Sequence, residues 1–285
     1  MSLFSLSFQT AEPPMAALDI SAHAVTAARV DTRGGDLVVV AQASEPLPAG
    51  ALTPSLSAGN VTHRAAVRTA VARALEQIGR PRRVALVVPD PVAKVSVVRF
   101  EQVPDRARDL EQVIGWQAQK GSPFPLEEGQ LSFVTAAAVS GGQEFLVTFA
   151  RRDVIQEYES LVTDAGAEPG LVDLSTFNVV NAVLAERRDL ATADWLLVNV
   201  APGWMSVAIL RGPHITLFRS RSAVDEGEGT LIDLVHQTTM YYEDRLGGAG
   251  FAAIVVNGAP QTTNERHQVT TRTLEARLDA TVTIV

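Results

Sequence analysis

The sequence predicts an α/β protein made of a duplicated unit, with a smaller α+β unit inserted into the first copy. Three observations carry this. An order of three strands, a helix, a strand and a helix is legible from residue 16 and again from residue 195. The first copy is interrupted by a stretch with its own helices and strands. The chain, at 285 residues, is long enough for two cored lobes, and 46% hydrophobic against 20% charged residues is ordinary for a globular protein.

Residues 16–30 read AALDISAHAVTAARV, two apolar stretches around a small polar turn at Ser21 to His23, which is a hairpin pattern. Arg33-Gly34-Gly35-Asp36 turns the chain into a third strand, LVVVAQASEPL, and a Pro/Gly/Ser-rich loop occupies residues 46–59. Thr62 is placed to cap the next helix, whose apolar face is Ala66, Ala70, Ala74, Val67, Val71 and Leu75, and Gly79-Arg80-Pro81 stops it. Residues 84–88 are a continuous apolar run, expected as a strand buried on both faces and ended by Pro89-Asp90-Pro91.

A weakly alternating strand over 94–100 leads past Pro104 to a helix over 107–120, with Leu110, Val113, Ile114 and Ala118 on its inner side. SPFPLEE at 122–128 ends it, and strands over 131–139 and 144–150 join at Ser140-Gly141-Gly142. Val154, Ile155, Tyr158, Leu161 and Val162 give the helix over 152–165 an apolar stripe. A strand over 170–174 and a helix over 175–186, with Ser175 as its expected cap, close the first half.

The second half opens with strands over 195–200, 205–211 and 215–220, turned at Ala201-Pro202-Gly203 and Gly212-Pro213. A helix over 230–246, a buried strand over 252–256, a short helix near 271–278 and a last strand follow. The expected organisation is an N-terminal arm over 1–15, a first lobe over 16–91 and 170–190, an inserted unit over 92–169, and a second lobe over 191–285.

Composition removes several functions. Formal charges of 24 Lys+Arg against 32 Asp+Glu give −8, and no dense basic block exists beyond Arg80-Pro81-Arg82-Arg83, which argues against nucleic acid. Without cysteine there is no thiolate zinc site, iron–sulfur cluster or cysteine nucleophile, as suits a reducing compartment. His23, His63, His214, His236 and His267 form no metal-ligand pattern, so no metal is expected. Ser21 and Ser175 lack a GxSxG setting, and Glu111, Glu127 and Glu128 read as solvated helix-end charges. No window approaches the length of a spanning helix, and MSLFSLSFQTAEPP lacks the basic start of a signal peptide.

A duplicated unit of this order with one insertion is similar to the actin, Hsp70 and sugar-kinase superfamily, an actin-like (ribonuclease H-like) fold. Narrower segments carry a closer likeness: SPFPLEE behind its helix at 114–128, RRDVIQEYESLVTDAGAEPGLVDLSTFNVVNAV at 151–183, FRSRSAVDEG at 218–227 and LVHQTTMYYEDRLGG at 234–248. On these the chain resembles PilM, the cytoplasmic actin-like component of type IV pilus assembly. The cell-division protein FtsA and the secretion protein GspL are more distant relatives.

The resemblance implies where ATP and magnesium would sit, and the residues there depart from the pattern. The first hairpin keeps Asp19 but has Ser21 in place of the glycine that lets backbone N–H groups approach a phosphate, and Thr26 where a lysine is usual. The second hairpin has Asn199-Val200-Ala201 where the family's Asp-x-Gly is expected, and the adenine-side glycines survive only as Asn257-Gly258-Ala259. Asp19, Ser21, Asn199, Ala201 and Gly258 are therefore read as a vestigial cofactor site in a pseudo-ATPase. The expectation is no cofactor, with ATP and magnesium as the alternative that Asp19 keeps open. Asp19 also has a plain reading as a turn cap. The step from Ser220 to Thr230 is too short for the fourth subdomain of ATP-binding relatives, so that subdomain is expected to be missing.

The inserted unit suggests the other activity. Trp116, Pro123, Phe124 and Pro125 stand beside two strands and either close a small core or frame a groove for an extended peptide. In the PilM family a cleft between the first lobe and the inserted unit takes the cytoplasmic N-terminal peptide of PilN. By that resemblance Val87 and Pro89 on one side, with Ile114, Phe124, Leu126 and Phe133 on the other, are the partner-binding candidates. The implied function is a non-catalytic scaffold at the cytoplasmic face of the inner membrane. It would join a PilN-like bitopic protein to a pilus or secretion platform, with a nucleotide-responsive assembly factor or the cytoplasmic part of a GspL-like protein as alternatives.

Overall fold

A computed structural model describes residues 13–139, 141–222, 228–258 and 282–284. Most of the N-terminal arm, Ser140, the middle of the step at 223–227, Ala259 and the short helix expected near 271–278 lie outside these.

The first lobe is a five-stranded sheet in the order β3-β2-β1-β4-β8. β1 (Ala16–Ile20), β2 (Ala24–Arg33) and β3 (Asp36–Pro46) form the antiparallel meander. β4 (Arg83–Val88) and β8 (Glu168–Leu174) add in parallel, leaving β8 as a free edge among the described residues. The second lobe repeats this as β11-β10-β9-β12-β13, built from β9 (Asp194–Ala201), β10 (Trp204–Arg211), β11 (His214–Ser222), β12 (Ala253–Asn257) and β13 (Val282–Ile284). Its ladders have the same senses, so the duplication read from the sequence is a duplication of topology.

The helices explain the burial patterns. α1 (Arg64–Gln77) and α3 (Arg152–Asp164) cover one face of the first sheet, where Leu18, Ile20, Leu86 and Val88 meet Val67, Val71, Val154 and Leu161. All five residues of the predicted α3 stripe are buried. The second sheet is covered on both faces. α5 (Glu228–Leu246) packs Leu231, Leu234 and Val235 on Leu196, Val198 and Ile254, and α4 (Ser175–Glu186) packs Val180 and Val183 on the face of Trp195, Leu197 and Val255. Covering on both sides is why β9 reads as a continuous apolar run. β4 differs from the expectation of burial on both faces: Val84, Leu86 and Val88 are inside, while Ala85 and Val87, on the side that faces the second lobe, are half-buried.

The inserted unit is a three-stranded antiparallel sheet, β5-β7-β6, of β5 (Ala93–Phe100), β6 (Gly129–Val139) and β7 (Gly142–Arg151). Against it α2 (Ala107–Gln119) buries Ile114 and Ala118 with Phe124, Phe145 and Phe149. Val113, expected inside, is exposed because three strands accept only a narrow stripe of the helix. Neither Thr62 nor Ser175 caps a helix: His63 and Leu174 hold those positions without side-chain hydrogen bonds. Between the end of β11 at Ser222 and the start of α5 at Glu228 there are only five residues, too few for a domain.

Candidate functional site

Two regions carry chemistry, and both are built where β4 and β8 end. The first is a polar seam between the lobes. Register places Asp19, Val87 and Asp173 side by side across β1, β4 and β8, so all three side chains leave the sheet on the less covered face. Across the second sheet the matching row is Asn257, Asn199, Ser206 and Ser220. Asp90, just beyond β4 in a 3₁₀ turn over Asp90–Val92, lies between the rows and is fully buried.

A chain of hydrogen bonds joins these rows. The Thr176 backbone N–H in the first turn of α4 donates to Asp90 Oδ1 at 3.0 Å, and the Thr176 hydroxyl donates to Asp90 Oδ2. Asn199 Nδ2 donates to Thr176 Oγ1 at 2.8 Å, and Asn257 Nδ2 donates to Asn199 Oδ1 at 2.8 Å. The Asp90 carboxylate thus holds the start of α4, a position that favours an anion. The Ser206 hydroxyl is buried beside it and has no hydrogen bond of ordinary geometry.

The seam is short of positive charge. Burial raises Asp19 to a pKa of about 6, with the neighbouring Asp90 adding to the rise. Burial likewise raises Asp90 to about 6, against the lowering effect of the nearby Ser206 hydroxyl and of the hydrogen bonds from Thr176. Asp173 is raised, chiefly by burial. No basic group among the described residues draws Asp19 or Asp90 back down.

The sequence-predicted cofactor residues fall around this seam with unequal roles. Asp19 and Asn199 are in it. The Ser21 hydroxyl is used within its own turn, donating to Ala24 O at 2.9 Å and accepting from Ala24 N at 3.2 Å. Ala201 pairs with Trp204 across the second hairpin. Gly258 has φ +70°, and a Cβ there would stand 2.1 Å from Val200 O, so this glycine is required by backbone contact. Sequence reasoning missed Asp90, Asp173, Thr176 and Ser206, and it met Asn257 only as the neighbour of Gly258.

The second region is a groove of about 510 Å³ between the inserted unit and the rest. Its walls are the free edge strands β8 and β6, with Ala93, α4 and the turn at 213–215 completing it. Val134 on β6 and Leu171 on β8 face it and are large exposed apolar side chains, 58% and 49% accessible; Leu146, Phe177 and Ile215 line its depth. Beyond Thr135 the β6 ladder is irregular, and Gln143 Nε2 donates to the carbonyls of Ala136 and Ala137 at 3.1 Å, leaving residues 130–135 as a regular edge.

Of the partner-binding candidates, Phe133 lines this groove. Ile114 and Phe124 are corrected to core residues, buried with Phe145 and Phe149, because α2 and the SPFPLEE turn close the inserted sheet. Leu126 packs against that same cluster. Val87 stands between Asp19 and Asp173 in the seam, and Pro89 is buried at the entry to the 3₁₀ turn.

Two five-stranded sheets of identical topology, facing across a polar seam, define the class: the chain has the actin-like ATPase fold. A solved protein of Bacteroides thetaiotaomicron, described as having that fold and unknown function, matches with TM-score 0.59 at 7% identity over 98% of this chain and 93% of its own. The model of the family "Type IV pilus assembly protein PilM" matches residues 17–224, and the chain belongs to that family. A solved PilM-PilN type IV pilus biogenesis complex matches with TM-score 0.76 at 18% identity, over 95% of this chain and 88% of that one. The cytoplasmic domain of EpsL, an inner membrane component of the type II secretion system of Vibrio cholerae, matches with TM-score 0.50 at 10% identity, over 85% and 80%. No curated protein matches. Among the described residues no helix is long and apolar enough to cross a membrane.

Proposed function

We propose that the chain is a non-catalytic scaffold of a type IV pilus platform whose β6/β8 groove holds the N-terminal peptide of a PilN-like bitopic protein. The observation that carries this is the groove itself. Two strand edges unpaired among the described residues face one apolar channel, and an extended peptide can pair its backbone with either edge while sending alternate side chains into the walls. The likeness to a PilM-PilN complex supports the identity of the partner. Through it the protein would sit at the cytoplasmic face of the inner membrane and meet other platform proteins.

The seam supports the non-catalytic half of the reading. Triphosphate binding calls for backbone N–H groups and cations, and here Asp90 already caps α4 while buried carboxylates surround the place. Ser21 is spent on its own turn. We read Asp19 as a carboxylate retained without magnesium, and the protein as a pseudo-ATPase without a cofactor.

Calorimetric titration with a synthetic N-terminal peptide of the PilN-like protein tests the groove. Saturable one-site binding is expected, lost in Leu171→Glu and Val134→Glu, which alter exposed groove walls and leave the fold intact. Absence of binding to the unaltered protein overturns the reading. Titration with ATP and magnesium tests the seam: no heat is expected, and one-site binding would favour a nucleotide-responsive assembly factor.

A further inference from the structure

The groove is nearly free of charge. Of its lining side chains only Asp173 is a carboxylate, and the only other titratable one is His214. Asp173 is the penultimate residue of β8, two positions before α4, half-buried on the less covered face of the sheet. Its Oδ1 accepts from the Leu174 N–H at 2.8 Å and its Oδ2 accepts a long contact from Asn178 Nδ2 at 3.4 Å. It has no ion pair among the described residues, and the carboxylate of Asp90 is its electrostatic neighbour, so this end of the groove carries uncompensated negative charge. A partly buried carboxylate without a counterion costs stability that a docked cation returns.

The geometry points to Asp173 as a specificity determinant: we propose that it pairs with a cationic group on the occupant, an extended apolar peptide bearing one lysine, arginine or α-ammonium. This rests on the peptide-groove reading above. Leu171 leaves β8 on the same face two residues earlier. On a strand laid along β8, the residue that meets Asp173 is therefore two positions from the one that meets Leu171, about 6.7 Å away at the rise of an extended chain. The signature is an apolar residue and a cation separated by one residue.

Fluorescence anisotropy with a panel of labelled peptides decides the matter. The peptides alternate apolar and polar residues and carry Lys, Gln or Glu at each position in turn, with free or acetylated N-termini. Lysine at one position should bind the unaltered protein roughly tenfold or more tightly than glutamine, and salt should narrow the gap. Asp173→Asn should abolish the preference, and Asp173→Lys should turn it toward glutamate. If acetylation alone removes the affinity, the cation is the peptide's own N-terminus. Equal binding of Lys, Gln and Glu peptides overturns the charge pairing and leaves the groove standing. No binding by any peptide overturns both.

Discussion

Replacing Asp90 by asparagine is expected to stabilise the protein at neutral pH, the reverse of the usual result at a buried hydrogen-bonded residue. The carboxyl goes from its ordinary value of 3.8 to about 6 in the fold, chiefly through burial. The folded state therefore binds the proton more tightly than the unfolded one, so stability falls as pH rises from about 4 to about 6 and stays low above. At about 1.4 kcal/mol per pH unit the charged group costs about 3 kcal/mol at pH 8. Asparagine carries no charge and can still accept from the Thr176 N–H through its amide oxygen, but it cannot accept from the Thr176 hydroxyl through its amide nitrogen. Subtracting about 1 kcal/mol for that hydrogen bond leaves a net gain of about 2 kcal/mol. Relief of the repulsion on Asp19 acts in the same direction. Urea denaturation of both proteins at several pH values between 4 and 8 reads the effect. The midpoints should diverge in favour of Asp90→Asn as pH rises and converge or cross at the acidic end. A variant less stable at pH 8, with the same pH slope as the parent, would refute the argument.

Two further substitutions probe the frame. Tyr158→Phe removes a buried hydroxyl that donates to Asn60 Oδ1 at 3.0 Å, where the loop between β3 and α1 is tied to α3. A loss of about 1 kcal/mol is expected, with faster amide exchange confined to that loop; unchanged exchange there would contradict it. Gly258→Ala places a methyl against Val200 O at a positive φ and should cost about 2 kcal/mol or more in urea denaturation; a neutral result would mean that β12 ends differently.

The fold was legible because its signals are local. Apolar runs, Gly-containing turns and the Val154 to Val162 stripe each state an element within a few residues, and the repetition of their order states the duplication. The groove was less legible. Ile114 and Phe124 satisfy the pattern for an aromatic or aliphatic wall as well as for a core, and only the position of the inserted sheet decides for the core. The seam was hidden for a different reason. Pro89-Asp90-Pro91 reads as the end of a strand, and nothing near it announces a helix start 86 residues later as its hydrogen-bond partner. Ser175 has the residue type of a cap, yet the group that meets the N-terminus of α4 arrives from the other end of the inserted unit.

That last contact has a mechanical meaning. The chain enters the inserted unit at Asp90 and leaves it by α3, β8 and α4, so the Asp90 to Thr176 bonds clamp entrance and exit together. A strand seated against β8 and pulled along its length would strain the six β4 to β8 register pairs in shear, all sharing the load, while the clamp stops the unit from swinging away. Tension on such a tether would pass into the body of the first lobe with little give at the junction.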